Sequence, residues 1–219
     1  MLLQFDIEDS AIEEHDRWHT HEHLPERLAI PGFHRGTRWL AAAGNAPRYM
    51  VVYEVEGLAT LESQAYLTRL NNPTPWTTKM MPHYRGMRRG LCAVAGSSGY
   101  GQGSEAALIR FKPDASHGEA LNRWLLDEAL GAMVQLPGLG SVHLFQGAQQ
   151  ASMTNEQRIR GADQAVDSAI IIMGYEAAAV AACAVQLCAP EGLVSRGANE
   201  LSCAAYRWSY SLASGEIGA

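Results

Sequence analysis

The sequence predicts an α+β protein built as two fused βαββαβ units whose antiparallel sheets pack face to face as a barrel. Three observations predict it. Setting residue n against residue n + 106 aligns RWHTHEHL and the following IPGF, beginning at Arg17, with RWLLDEAL and LPGL, beginning at Arg123. Both aligned stretches sit in the same order of periodic segments: strand, helix, strand, strand, helix, strand. With 47% hydrophobic and 18% charged residues over 219 positions, the chain also has the apolar surface for a packed core.

The elements follow in order. LLQFDI reads as a short strand, residues 11–30 as a helix by period, 33–42 and 48–56 as strands, 61–70 as a helix and 88–95 as a last strand. ALIRF, a helix over 118–135, GSVHLFQ, SAIIIMGYE, an Ala-rich helix from Ala177 and CAAYRWSYSL repeat that order. The pairs Arg17/Arg123, Trp18/Trp124, Glu22/Glu128, Leu24/Leu130, Pro31/Pro137 and Gly32/Gly138 fall in register without a gap. MVVYEVEG, with Tyr53-Glu54, answers IIIMGYEA, with Tyr175-Glu176, after a longer polar loop in the second copy. Gly96–Ser104 (GSSGYGQGS) is rich in Gly and Ser and reads as a flexible connector. The expected units are therefore 1–96, carrying the site, and 105–212, mainly scaffold, with a linker at 97–104 and a tail at 213–219. This order is the ferredoxin-like split βαβ pattern, in which each sheet leaves one apolar face for the other to cover.

Composition narrows the partners. A formal net charge of -6 disfavours nucleic acid and anionic membrane surfaces, which attract concentrated Lys and Arg. The start MLLQFDIEDS has no basic segment followed by a long apolar one, and the longest apolar run, Ala177–Val185, is short for a membrane span, so a cytoplasmic protein is expected. Cys92, Cys183, Cys188 and Cys203 show no Cys-x-x-Cys spacing and read as small apolar groups. A homodimer is expected from apolar surface left over by the internal pairing. No metal or cofactor is expected.

The chemistry concentrates around Trp18-His19-Thr20-His21-Glu22-His23. Half of the eight histidines lie within nine residues. On an α-helical wheel His15, His19, Glu22 and His23 share one arc, while His21 falls with Trp18, Leu24 and Leu28 on the apolar side. Pro25 removes a backbone donor and clashes with the His21 carbonyl, so a kink there could instead turn His23 inward. The wheel leaves open which of the two faces the pocket; His23 is the expected general acid or base, with Glu22 or His21 setting its tautomer, and His21 is the next candidate. His19 and His23 with Glu26 could share an ion, but His21-Glu22-His23-Leu24-Pro25 fails the His-Glu-x-x-His pattern of zinc hydrolases.

Other positions are candidate substrate contacts. Tyr53 lies on the apolar face of its strand and could hold or protonate a substrate oxygen. Trp76, in NNPTPWT, could cap an aromatic ligand, and His34 with Arg38 project to one side of a strand. Nothing follows the spacing of a dinucleotide fingerprint, a P-loop or a serine nucleophile elbow.

His23-Leu24-Pro25 followed by Ile30-Pro31-Gly32-Phe33, behind Trp18, resembles the dimeric α+β barrel superfamily and in particular its EthD-type members, here as a tandem duplication. The resemblance implies a ligand held between sheet and helices, the motif histidine at His23 and Trp18 as a pocket wall. Members include cofactor-independent monooxygenases, lactone isomerases, polyketide cyclases and dehydratases. The leading expectation is a cofactor-independent lyase or isomerase using His acid/base chemistry on an aromatic-catabolic or polyketide-like small molecule. The alternatives are a cofactor-independent or haem-dependent monooxygenase and a non-catalytic ligand-binding barrel.

Overall fold

The computed structural model describes residues 1–42, 46–148 and 153–218. The first half contains β1 (Leu2–Ile7), α1 (Ile12–Trp18), a π-helical turn (His19–His23), α2 (Leu24–Leu28), β2 (Phe33–Ala41), β3 (Tyr49–Val55), α3 (Gln64–Asn71), α4 (Pro75–Met80) and β4 (Tyr84–Gly99). The second contains β5 (Glu105–Pro113), α5 (Gly118–Trp124), a second π-helical turn (Leu125–Ala129), α6 (Leu130–Met133), β6 (Leu139–Ala148), α7 (Asn155–Arg160), β7 (Ser168–Gly174), α8 (Ala177–Cys188) and β8 (Ala198–Ala213). The strands close into one antiparallel barrel in the order β1-β3-β2-β8-β5-β7-β6-β4. Each half contributes four adjacent strands in the ferredoxin-like arrangement, so the expected fold class is the observed one.

Two strands stitch the halves together. β4 and β8 are each 16 residues long. The first part of β4 pairs with β1, up to Leu2↔Gly90, and the rest with β6, from Leu91↔Ala148 to Gly99↔Ser141. β8 likewise leaves β5 at Glu105↔Arg207 and continues along β2 to Arg35↔Ala213. This corrects the reading of Gly96–Gly99 as flexible connector: its small residues are the end of a seam strand, hydrogen-bonded to the other half. Barrel closure removes the sheet edges and requires no second copy.

The internal duplication reaches the backbone. Trp18 and Trp124 each end an α-helix and are followed by a five-residue π turn, in which Leu24 N–H donates to the His19 carbonyl and Leu130 N–H to the Leu125 carbonyl. After each helix a Pro-Gly pair turns the chain, with Gly32 at φ 87° and Gly138 at φ 89°, a left-handed conformation open to glycine. The π turn is a property of the fold and not of Pro25, because Gly131 stands at the equivalent position.

Three cores result. One lies between the first-half sheet and its helices, around Phe5, Trp18, Leu24, Tyr49 and Met80. A second, around Ile109, Leu125, Leu144 and Ile170, is its counterpart in the second half. The third fills the barrel interior around Trp39, Met50, Leu108, Ile171 and Tyr206. Cys203 is exposed rather than buried, and the four cysteines are free thiols. Among the described residues no helix is long and apolar enough to cross a membrane.

Candidate functional site

The π turn sets the face that the histidines present. Its wider winding turns each residue through a smaller angle than an α-helix, so His23 stays in line with His15 and His19 instead of drifting off their face. All three point into the first core, at 0%, 2% and 8% exposure. Their rings form a ladder, with centroids 5.5 Å apart for His15 and His19 and 5.6 Å for His19 and His23. His21, which the α-helical wheel placed with the core residues, is exposed on the outer side of the helix. The wheel erred because it assumed 100° per residue through a segment that is not α-helical.

His19 and His23 line a cavity of about 30 Å³ between the first-half sheet and helices, enclosed by Arg27, Tyr53, Tyr66 and Tyr84 among others. A space of that size holds about one water. Four of the residues that line it each carry a buried polar atom with no hydrogen-bond partner among the described residues: Nδ1 of His19, Nδ1 of His23, Nη1 of Arg27 and the Tyr53 hydroxyl. Leaving such groups unpaired is costly, each by roughly 1–3 kcal/mol. Clustering four around one space marks it as a place where something polar binds.

The second half supplies the comparison that gives these residues meaning. At n + 106 the positions of His15, His19, His23 and Arg27 hold Leu121, Leu125, Ala129 and Met133. Strand register extends the equivalence. Leu3 faces Val51 as Ile109 faces Ile170, which puts Ile172 at the place of Tyr53. Ile7 faces Tyr84 as Pro113 faces Ala198. Leu121, Leu125, Ala129, Met133, Ile172 and Ala198 are all buried in an ordinary apolar core. Tyr175, matched with Tyr53 by sequence alone, is exposed and out of register.

Burial fixes the protonation states. It holds His19 and His23 well below the ordinary imidazole range, reinforced by the positive charges of Arg38 and Arg27 on His19 and of Arg27 on His23. Both are neutral near pH 7 and able to accept a proton. Burial pushes the Tyr53 and Tyr84 phenols upward, so both are protonated donors. Burial also opposes the Arg27 charge, but Glu156 outweighs it and Arg27 stays cationic.

The remaining expected residues have supporting or distant places. The Trp18 ring lies behind His23, at 4.4 Å between centroids, and does not reach the cavity. Its indole N–H donates to Glu22 Oε1 at 3.0 Å, and Thr74 donates to the same oxygen at 2.6 Å. Glu22 therefore fixes the indole against which His23 packs and does not set the histidine's tautomer. Trp76 is half-buried on α4 beside Glu14, outside the cavity. His34 is exposed. Arg38 is buried but turned to Asp16, donating to its carbonyl at 3.2 Å. Glu26 pairs with Arg69 at 3.1 Å, away from the histidines, and among the described residues no three His, Cys, Asp or Glu side chains converge as a metal site.

Two features escaped the sequence reading. The longer polar loop of the second copy forms α7, which crosses to the first half and covers the cavity with Thr154, Glu156, Gln157 and Arg160. Glu156 accepts from Arg27 Nη2 at 2.6 Å through both carboxylate oxygens, and Asn155 is tied to Asn71. The second feature is a chain from solvent to cavity. Asp16, about one-third exposed, lies 3.3 Å from His15 Nδ1, and His15 Nε2 lies 3.3 Å from the Tyr84 hydroxyl. The signal for the ladder was the spacing of His15, His19 and His23 set against Leu121, Leu125 and Ala129.

Comparison with known proteins supports the architecture. No protein-family model matches the chain, and no curated protein does. Among solved structures the chain is similar to an anthrone oxidase-like protein, at TM-score 0.67 and 11% identity over 100% of this chain and 94% of that one. It is also similar to a "putative monooxygenase" from Lactobacillus acidophilus NCFM, at TM-score 0.57 and 9% identity over 97% and 94% of the two chains. A third, so described, from Fusobacterium nucleatum subsp. nucleatum ATCC 25586 gives 0.56 and 8% over 97% and 92%. These likenesses establish an eight-stranded α+β barrel over nearly the full chain. The narrower EthD-type likeness rests on its short motif alone.

Proposed function

We propose that the chain is an oxygenase for a small aromatic substrate of the anthrone type, with one reaction chamber per chain, in the first half. The observation that carries this reading is the polar cavity wall of His19, His23, Arg27 and Tyr53 at positions where the second half has Leu125, Ala129, Met133 and Ile172. The anthrone oxidase-like and monooxygenase neighbours support the reaction class over the lyase or isomerase first expected from the histidines. The cover by α7 supports it too, because a carbanion and its oxygen adducts need protection from bulk water.

In this reading a neutral imidazole, His23 or His19, removes a proton from a carbon flanked by aromatic rings. Arg27 Nη1 and the Tyr53 hydroxyl hold the oxygen on which the negative charge settles. The electron-rich anion transfers an electron to dioxygen, and recombination forms a carbon–oxygen bond. Loss of water from the resulting peroxide leaves a carbonyl. The balance is CH2 + O2 → C=O + H2O, with the substrate supplying all four electrons. Tyr84, His15 and Asp16 offer the proton a route to solvent. The cavity is smaller than such a substrate, so α7 must move on binding.

The test is oxygen uptake by the purified chain with an anthrone. The expected result is one dioxygen consumed per ketone formed, with labelled oxygen from the gas in the new carbonyl. Proton exchange at the substrate carbon without oxygen consumption would return the lyase or isomerase reading, and no uptake above buffer would remove the oxygenase.

A further inference from the structure

The barrel has a second space that the histidine cavity does not use. One mouth of the barrel opens into a cup of about 1000 Å³, to which seven of the eight strands contribute lining residues. That is the upper end of the range for small-molecule pockets. Its floor is the barrel core, at Leu2, Trp39 and Ile171. Its wall carries apolar side chains open to solvent: Val94 is 60% exposed and Trp208 46%. Trp39 and Trp208 are direct cross-strand partners on β2 and β8, and Phe145 lines the opposite part of the barrel on β6. Large apolar groups around a concave space are a feature of ligand sites rather than of a closed barrel end.

The rim is polar and balanced in charge. Arg35 and Glu54 lie 3.7 Å apart, and Gln102 donates to Glu54 at 2.9 Å. His143 Nδ1 is engaged with Ser97 Oγ at 2.8 Å, so its Nε2 is the ring nitrogen left for a ligand, and burial lowers its pKa. β3 lies between this space and the histidine cavity: Val51 faces the cavity, Val52 and Glu54 the cup, while Met1 and Tyr53 border both.

We infer that the open mouth of the barrel is a second binding site, for an uncharged planar aromatic molecule of about two or three rings bearing a hydroxyl or carbonyl edge. The rings lie against Trp208, Phe145 and Val94, and the polar edge meets His143 or Gln102 at the rim. The site stands independently of the function proposed for the histidine cavity.

Calorimetric titration of the full chain with 1-naphthol tests it, alongside Val94→Trp, which puts a large side chain where the rings are to lie beside Phe145, Trp208→Ala, which removes the aromatic wall, and His23→Ala. Melting curves for each variant report folding. The expected result is one-to-one binding that weakens about tenfold or more in both cup variants, the scale of losing an aromatic contact or the space itself, and is unchanged in His23→Ala. Absence of binding, binding indifferent to both cup variants, or binding lost only in His23→Ala would overturn the site. The last result would place the probe in the histidine cavity and leave the oxygenase reading intact.

Discussion

Three buried neutral imidazoles at residues 15, 19 and 23 make the stability of this protein depend on pH in a definite direction. Burial lowers the pKa of each in the folded state. As pH falls through the ordinary imidazole value, the unfolded chain takes up protons that the folded chain refuses, so stability is complete above that value and is lost below it. Each pH unit over which one group stays neutral only in the folded state costs about 1.4 kcal/mol. His19→Leu, which installs the residue found at Leu125, should therefore be more stable than the parent at pH 5 by about 1–2 kcal/mol and flatten the acid limb of a urea-denaturation series. An unchanged acid limb would mean that His19 is not held neutral. His23→Ala should leave folding near neutral pH little altered, since Ala129 occupies the equivalent place at the same 8% exposure. The histidines and Tyr53 were legible as chemistry-bearing residues from type and spacing. Which histidines face inward was not, because the outcome depends on a π turn that no side chain in HTHEH announces.

At the scale of elements, the same π turn recurs with Leu125–Ala129, where no proline follows, so its cause is the packing of helix on sheet common to both halves. Periodicity reports local faces, and here it placed Trp18, Leu24 and Leu28 correctly in the core. It says nothing about which half a loop folds over. For that reason α7 read as a longer loop in the second copy, when it is the cover of the first-half cavity. The Arg27–Glu156 pair that holds it is nearly fully buried, with side-chain exposures of 2% and 3%. Removing one partner strands a buried charge, so Glu156→Gln should cost about 3–5 kcal/mol in denaturant unfolding at neutral pH. Amide exchange should quicken in residues 154–160 before it quickens in β1 or β3. A loss below about 0.5 kcal/mol, the range of ordinary surface substitutions, would show that the pair does not fasten the cover.

At the scale of the whole molecule, the repeat of 106 residues was legible because helix, turn and flanking apolar residues stay in register. The seam strands were less so, since Gly and Ser at 96–99 read as linker until β6 is seen beside them. Because β4 and β8 each belong to both sheets, the halves should unfold together: circular dichroism and tryptophan fluorescence should give one coincident transition. Two separated transitions would mean that the seams are weaker than the halves. The duplication also frames the central claim, that one half kept an apolar core and the other turned the same positions into a reaction chamber. The most direct measurement is oxygen uptake with an anthrone by the double variant His19→Leu, His23→Ala, which gives the first half the residues of the second at those two positions. The account predicts a fold as stable as the parent's, with turnover reduced by about a hundredfold or more, the scale of losing a general base. A well-folded double variant that turns over like the parent would contradict it.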